Sequence, residues 1–395
     1  MKFNTETYRL TEAGSIGRNA FIVGAIGLAL SVTGYFVDHD QFYFSYLTAF
    51  TFWASLGIGA LFFTLLHHLV GAEWSIVLRR LSETIAASLP VMLVFFIPIL
   101  FNGLHSLYHW SHEDAVKDPV LASKLGYLNP WFFGIRTVIY FSIWFLFSRK
   151  LYNMSIKQDS GDQSGNDNMR RLSAPGMILF AFTVTYAAFD WIMSLQPHWF
   201  STIFGVWYFS ASLLAFLAAI NLFAQFLRGR GVLKEVITIE HYHDLGKLTF
   251  AFIIFWAYIS FSQYFLIWYA NIPEETIFYL HRWEGNWKIL SMMQVYGHLM
   301  LPFLWLIPRF TKRNLLSLKI ICIWLLLMHY LDLYWNIFPN HPGSEHGFSF
   351  SWMDLTTVIG IGGIFVGVVW SRLSSQALIP LKDPKLDNSL HFANL

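Results

Sequence analysis

The chain of 395 residues is 55% hydrophobic, 19% aromatic and only 13% charged, whereas a soluble domain carries about a quarter charged residues. This composition excludes a soluble globular protein, and a net charge of +2 gives no basic surface for nucleic acid. A single cysteine, Cys322, excludes a disulfide framework and a thiolate metal cluster.

A bilayer core of roughly 30 Å takes about 20 apolar residues per helix. Ten stretches qualify, at 20–37, 43–71, 76–103, 130–152, 174–195, 199–227, 246–270, 287–307, 314–336 and 353–373. The first is read as a retained helix, because no small-residue cleavage site follows it. Of the 26 Lys and Arg residues, only Lys117, Lys124, Arg136, Arg282 and Lys288 fall at one set of helix ends. The positive-inside rule therefore places both termini in the cytoplasm and the segments 104–129 and 271–286 outside. These outer segments are rich in aromatics, which suits burial under a partner protein. Between the fourth and fifth spans, "SIKQDSGDQSGNDNMRR" is polar and Gly/Ser/Asp-rich, the composition of a flexible linker.

Spans 2–5 resemble spans 6–9. Arg171 and Asp190 are separated by the same 19 positions as Arg313 and Asp332, and Pro197 and Pro339 each follow their aspartate at the same offset. A shift of four spans preserves orientation, so the repeat is parallel. The expected architecture is all-α, with ten spans in two four-helix bundles. It divides into a tail and first span (1–42), bundles at 43–195 and 196–340, and a last span with tail (341–395). That last span carries Gly360, Gly362, Gly363 and Gly367, small residues that let another helix approach closely.

Ionisable residues inside spans suggest function by default. Asp190, in span 5, has Tyr186 one turn earlier. In span 9, Asp332 has His329 at i−3 and Asn336 at i+4. Span 8 adds Gln294 and His298, and span 7 adds Gln263 and Tyr264. These are the candidates for a proton path or the polar edge of a quinol site. Both aspartates are expected to face bundle interiors, at least one of them carrying protons. Toward the inner side lie His67, His68, Arg79, Arg80 and Glu83, for which helix-turn pairing of Glu83 with the arginines is the plainer reading. His298 and His329 are a bis-histidine pair of unequal depth, and C-x-x-C-H is absent, so no haem is expected in this chain.

Two stretches, "DWIMSLQPHWFSTIFGVWYFSAS" and "FTLLHHLVGAEWSIVLRRLSE", resemble the membrane subunits of alternative complex III, a bacterial quinol:cytochrome c oxidoreductase. Length, span number and the parallel repeat fit the smaller of its two polysulfide-reductase-anchor-type subunits. The resemblance implies a subunit of the bacterial inner membrane with no cofactor of its own, associated with menaquinol or another quinol. Its implied partners are a multihaem cytochrome c subunit, an iron–sulfur subunit, the larger anchor-type subunit and small membrane subunits. It also implies quinol oxidation near the outer surface, with protons leaving there. The competing expectations are a secondary transporter and a purely structural anchor.

Overall fold

A computed structural model of the protein describes residues 2–161, 165–344 and 347–394. It is an all-α polytopic membrane protein with ten helices, among the described residues, long and apolar enough to cross a bilayer. These are α1 (Ile16–Val37), α2 (His39–Val70), α3 (Ile76–Leu107), α4 (Pro130–Gln158) and α5 (Gly165–Leu195), then α6 (Phe204–Gly229), α7 (Ile239–Ala270), α8 (Trp287–Leu306), α9 (Leu315–Asn340) and α10 (Trp352–Ser374).

Several helices run past the ends of their apolar stretches, because polar caps outside the stretch set the boundaries. Asp38 accepts from the Gln41 amide at 3.0 Å and starts α2 early, while Gly71, at φ 64, ends it in a left-handed cap. A Thr238–His241 capping box starts α7, and Ser351 with Asp354 does the same for α10. The expected flexible linker is largely helical at both its ends, and 162–164 lie outside the described residues. Helix α4 continues to Gln158 and α5 begins at Gly165.

Prolines set the irregularities. Pro98 lies inside α3 and is followed by a π-helical turn at Ile99–Gly103. In α8 a longer π segment, Gln294–Met300, stands just before Pro302. Proline lacks the amide that would bond the preceding turn and clashes with its carbonyl, and a widened turn relieves both problems. The wide turn in α8 frees the Gly297 carbonyl to accept from Trp324 Nε1 at 2.7 Å.

Helices α2–α5 form one four-helix bundle and α6–α9 the other, with matching neighbours in each. Across the seam α2 packs on α6 and α9, and α6 on α2 and α5, the reciprocal contacts of an internal pseudo-two-fold. Helices α1 and α10 pair along their length. A Cβ at Gly27 would stand 2.7 Å from the Gly360 nitrogen, and one at Gly363 would stand 2.5 Å from Gly24 Cα. No larger residue fits this crossing.

Both termini lie at one end of the bundles. There a hairpin of β1 (Lys2–Asn4) and β2 (Arg9–Glu12), not foreseen in the sequence, meets the C-terminal segment where the Leu378 amide donates to the Tyr8 carbonyl at 2.8 Å. The opposite end carries short helices at Pro119–Lys124 and Pro273–His281.

Candidate functional site

The two repeat-related aspartates are both buried, Asp190 at 0% and Asp332 at 1% exposure, yet their surroundings differ. Asp190 is clamped by α4. Arg136 donates from Nε to Oδ2 and from Nη2 to Oδ1, each at 2.8 Å, and Tyr140 donates to Oδ2 at 2.7 Å. The guanidinium also stacks on Tyr127, 3.7 Å from its ring centroid. A bidentate pair of this kind is fully neutralised. Tyr186, expected beside Asp190, points outward: it is exposed and meets Phe189 edge-on.

Asp332 has only neutral donors. Trp256 Nε1 donates to Oδ2 at 3.0 Å and Asn336 Nδ2 to Oδ1 at 3.4 Å, and no ion pair reaches it among the described residues. Its carboxylate lines a cavity of ≈ 270 Å³ between α7, α8 and α9 at the end opposite the termini. Trp207, Trp256, Phe261, Trp335 and Leu299 supply apolar wall, while Ser260, Gln263, Tyr264, Ser291, Gln294 and Asn336 supply polar groups.

Some of those polar groups are committed. Gln263 Nε2 donates to Tyr279 Oη at 3.1 Å, and Trp335 Nε1 donates to Ser291 Oγ at 2.8 Å. Burial pushes the Tyr279 phenol above its ordinary pKa, so it stays neutral. Others have no partner in the fold: Ser260 Oγ, Gln263 Oε1 and Gln294 Nε2 are buried without a hydrogen bond. Buried polar atoms are almost always paired, so orphans lining one cavity point to a ligand or to water.

The roof of the cavity is held by Arg282. This fully buried residue stacks on Phe278 at 3.5 Å and donates to the Trp335 and Asn336 carbonyls at 3.1 Å each, satisfying the end of α9. Deeper in the bundle, His298 pairs through Nδ1 with Gln294 Oε1 at 3.3 Å and stacks on Trp256, with ring centroids 3.8 Å apart. His329 crosses the bundle seam to pair through Nε2 with Ser55 Oγ at 2.8 Å. His298 Nε2 and His329 Nδ1 are buried without partners.

The structure thus gathers Gln263, Tyr264, Gln294, Asp332 and Asn336 around one cavity, with His298 and His329 behind it. Asp190 and Tyr186 lie apart from it. The sequence reading missed Arg136 and Tyr140, the clamp on Asp190. An arginine inside the fourth span was a signal, since an intramembrane cation needs a carboxylate on a neighbouring helix. It also missed Trp256, whose indole nitrogen is indistinguishable in sequence from the many apolar tryptophans.

At the other end, His68, Arg79, Arg80 and Glu83 are all buried, inside the bundle and not at an interface. His68 Nε2 pairs with Glu83 at 3.0 Å, and the arginines approach the same carboxylate at 3.5 and 3.6 Å. The turn-to-turn pairing is therefore present but secondary. Arg79 reaches Asp383 at 2.7 Å and Gln158 at 3.0 Å, and Arg80 reaches Asp159 at 3.1 Å. His67 is half-buried, its Nδ1 taken by the Phe63 carbonyl at 2.7 Å. This cluster is a clasp between α3, the α4–α5 turn and the C-terminal segment.

No protein-family model matches the chain, and no curated protein matches its sequence.

Proposed function

We propose that the chain is an integral membrane subunit, without a redox centre of its own, of a quinol:cytochrome c oxidoreductase of the alternative complex III type, and that the α7–α9 cavity takes a quinol ring. The observation that carries this reading is Asp332: a buried carboxylate without a cation, on the wall of an aromatic cavity beside the orphaned polar atoms of Ser260, Gln263 and Gln294. Such a mixture of apolar wall and a few convergent polar groups suits a flat ring bearing hydroxyls.

A quinol becomes a quinone by losing two electrons and two protons. Asp332 accepts the two hydroxyl protons one at a time, releasing the first toward the outer face before taking the second, while Gln263 and Gln294 orient the oxygens and Trp256 steadies the carboxylate. Both electrons pass to the haem and iron–sulfur centres of partner subunits. Both protons leave at the outer face of the bacterial inner membrane, with both chain termini in the cytoplasm. His298 and His329 lie deeper in the bundle than Asp332, on the side away from this exit, and take no part in the release.

The test begins with mild-detergent purification from the native membrane. Co-isolation with multihaem and iron–sulfur subunits, together with quinol:cytochrome c turnover that falls in Asp332→Asn, is the expected result. A chain that isolates alone and is stabilised by a small hydrophilic solute would overturn the proposal in favour of a secondary transporter. An assembled complex with undiminished turnover in the variant would leave this subunit as an anchor.

A further inference from the structure

A second cavity, of ≈ 390 Å³, lies beside the first bundle, at the same end of the molecule as the Asp332 cavity but outside it. It is bounded by the Pro119–Lys124 helix, the end of α5 and the connection to α6, and Lys124, Tyr186, Phe189, Trp199 and Phe200 line it. Trp199 is 3% exposed and stacks on Phe278 with centroids 4.0 Å apart. Its indole nitrogen is buried with no acceptor. Lys124 is half-buried at the rim and donates to the Pro197 carbonyl at 2.7 Å. An ammonium has three donors, so two remain for a ligand.

Tyr127 also lines the cavity, its Oη buried without a partner, so Lys124, Trp199 and Tyr127 can all donate, one of them as a cation. That contrasts with the carboxylate of the α7–α9 cavity and calls for a ligand rich in acceptor oxygens. Tyr186, on the cavity wall, is also the end of an exposed apolar stripe. Tyr186, Phe182, Leu179 and Ile178 are exposed along one side of α5, running from the cavity toward the middle of the span. A free anion would use the donors and leave this stripe unused. A molecule with an anionic head and an acyl chain uses both.

We infer that this cavity is a binding site for an anionic phospholipid, whose phosphate meets Lys124, whose acceptor oxygens reach Trp199, and whose acyl chain lies along α5. Tyr186 then has a place in the molecule as part of the wall at the junction of head and chain, where aromatic side chains with a polar tip are favoured. The lipid would fill the space between the Pro119–Lys124 helix and α5, next to the Tyr127–Arg136–Asp190 stack.

The test uses the full chain, in its complex where one is isolated, reconstituted in phosphatidylcholine vesicles with a trace of photoactivatable phosphatidylglycerol. After irradiation the labelled peptides are mapped. Labelling is expected on the 178–200 stretch, and unlabelled phosphatidylglycerol should compete for it while phosphatidylcholine should not. Lys124→Gln should cut the labelling about tenfold, the loss expected for one charge-assisted hydrogen bond, and Lys124→Arg should keep most of it. Trp199→Phe should weaken it by a smaller factor. Equal competition by phosphatidylcholine in the unaltered protein would overturn the proposal, leaving an unselective annular lipid, and this arm depends on no variant. Displacement by inorganic phosphate alone would also overturn it, leaving a simple anion site.

Discussion

Asp190 and Asp332 occupy equivalent places in the two bundles, yet one is locked and the other is available. In the first bundle, α4 presents Arg136 and Tyr140 one turn apart, and both close on Asp190. In the second, α8 presents Gln294 and His298 at the same spacing, and neither donates to Asp332. With an amide and an imidazole there instead of a cation, no charged partner among the described residues meets the carboxylate, and the π-helical turn opens the helix at that point. The space left is the cavity. One copy of the repeat has become a structural tie, while the other keeps an unpaired carboxylate in a membrane interior, an arrangement that is costly without a use.

This contrast is most sharply broken by removing the tie. Arg136→Gln leaves Asp190 buried without its cation, and breaking a buried pair from one side costs about 3–5 kcal/mol. Thermal unfolding of the purified protein should show that loss. A variant as stable as the unaltered chain would mean that the pair is not what neutralises Asp190.

The complementary change falls on activity. Asp332→Asn keeps shape and removes the proton acceptor, so quinol:cytochrome c turnover in the assembled complex should fall roughly 100-fold, the lower range for loss of a general base. Stability should change little, because no ion pair is broken. If turnover and melting temperature respond to Asp332→Asn as they do to Asp190→Asn, the two aspartates are equivalent and the division of labour is wrong.

Gln294→Arg imports the first bundle's solution into the second. An arginine there is expected to pair with Asp332 and close the cavity. A buried pair is close to neutral for stability once desolvation is counted, so melting should stay within about 1 kcal/mol of the unaltered protein. Binding of a short-chain naphthoquinol, followed by calorimetry, should weaken about tenfold or more. Undiminished binding would place the ring elsewhere.

Much of this is legible in the sequence alone. Ten apolar stretches gave ten spans, and the spacing of Arg171, Asp190 and Pro197 against Arg313, Asp332 and Pro339 disclosed the repeat. Asn336 is foreseeable beside Asp332 as its i+4 neighbour, whereas the approach of Gln263 and Gln294 depends on how α7 and α8 pack on α9. The locking of Asp190 is not legible in the sequence, because Arg136 and Tyr140, which close on it, lie 54 and 50 positions away on α4, while Tyr186 is its i−4 neighbour. Which face of α5 turns inward is decided by packing against α2 and α4, and an almost uniformly apolar helix carries little record of that choice. The C-terminal segment was equally opaque. Its Asp383 reads as an ordinary tail residue until the fold brings Arg79 to it.

That clasp offers the smallest effect and a defined sign. Burial alone would raise the pKa of Asp383, but the Arg79 charge, with hydrogen bonds from the Lys385 amide, Arg79 and Asn166, holds it below the ordinary 3.8. A carboxylate depressed in the folded state adds stability above its unfolded pKa and loses it as pH falls through the folded value. The segment from Ala377 to Ser389 should therefore stay protected from hydrogen exchange through neutral and mildly acidic conditions, and loosen only in acid stronger than about pH 4. Asp383→Asn should loosen the segment at neutral pH and flatten its response to acid, with the membrane helices unaffected. Because the segment also holds Glu73 through Lys385 and His241 through the Ser389 carbonyl, the loosening should be partial. Protection that vanishes near pH 6 would instead assign the clasp to a histidine, with His68 and His241 the residues to replace next.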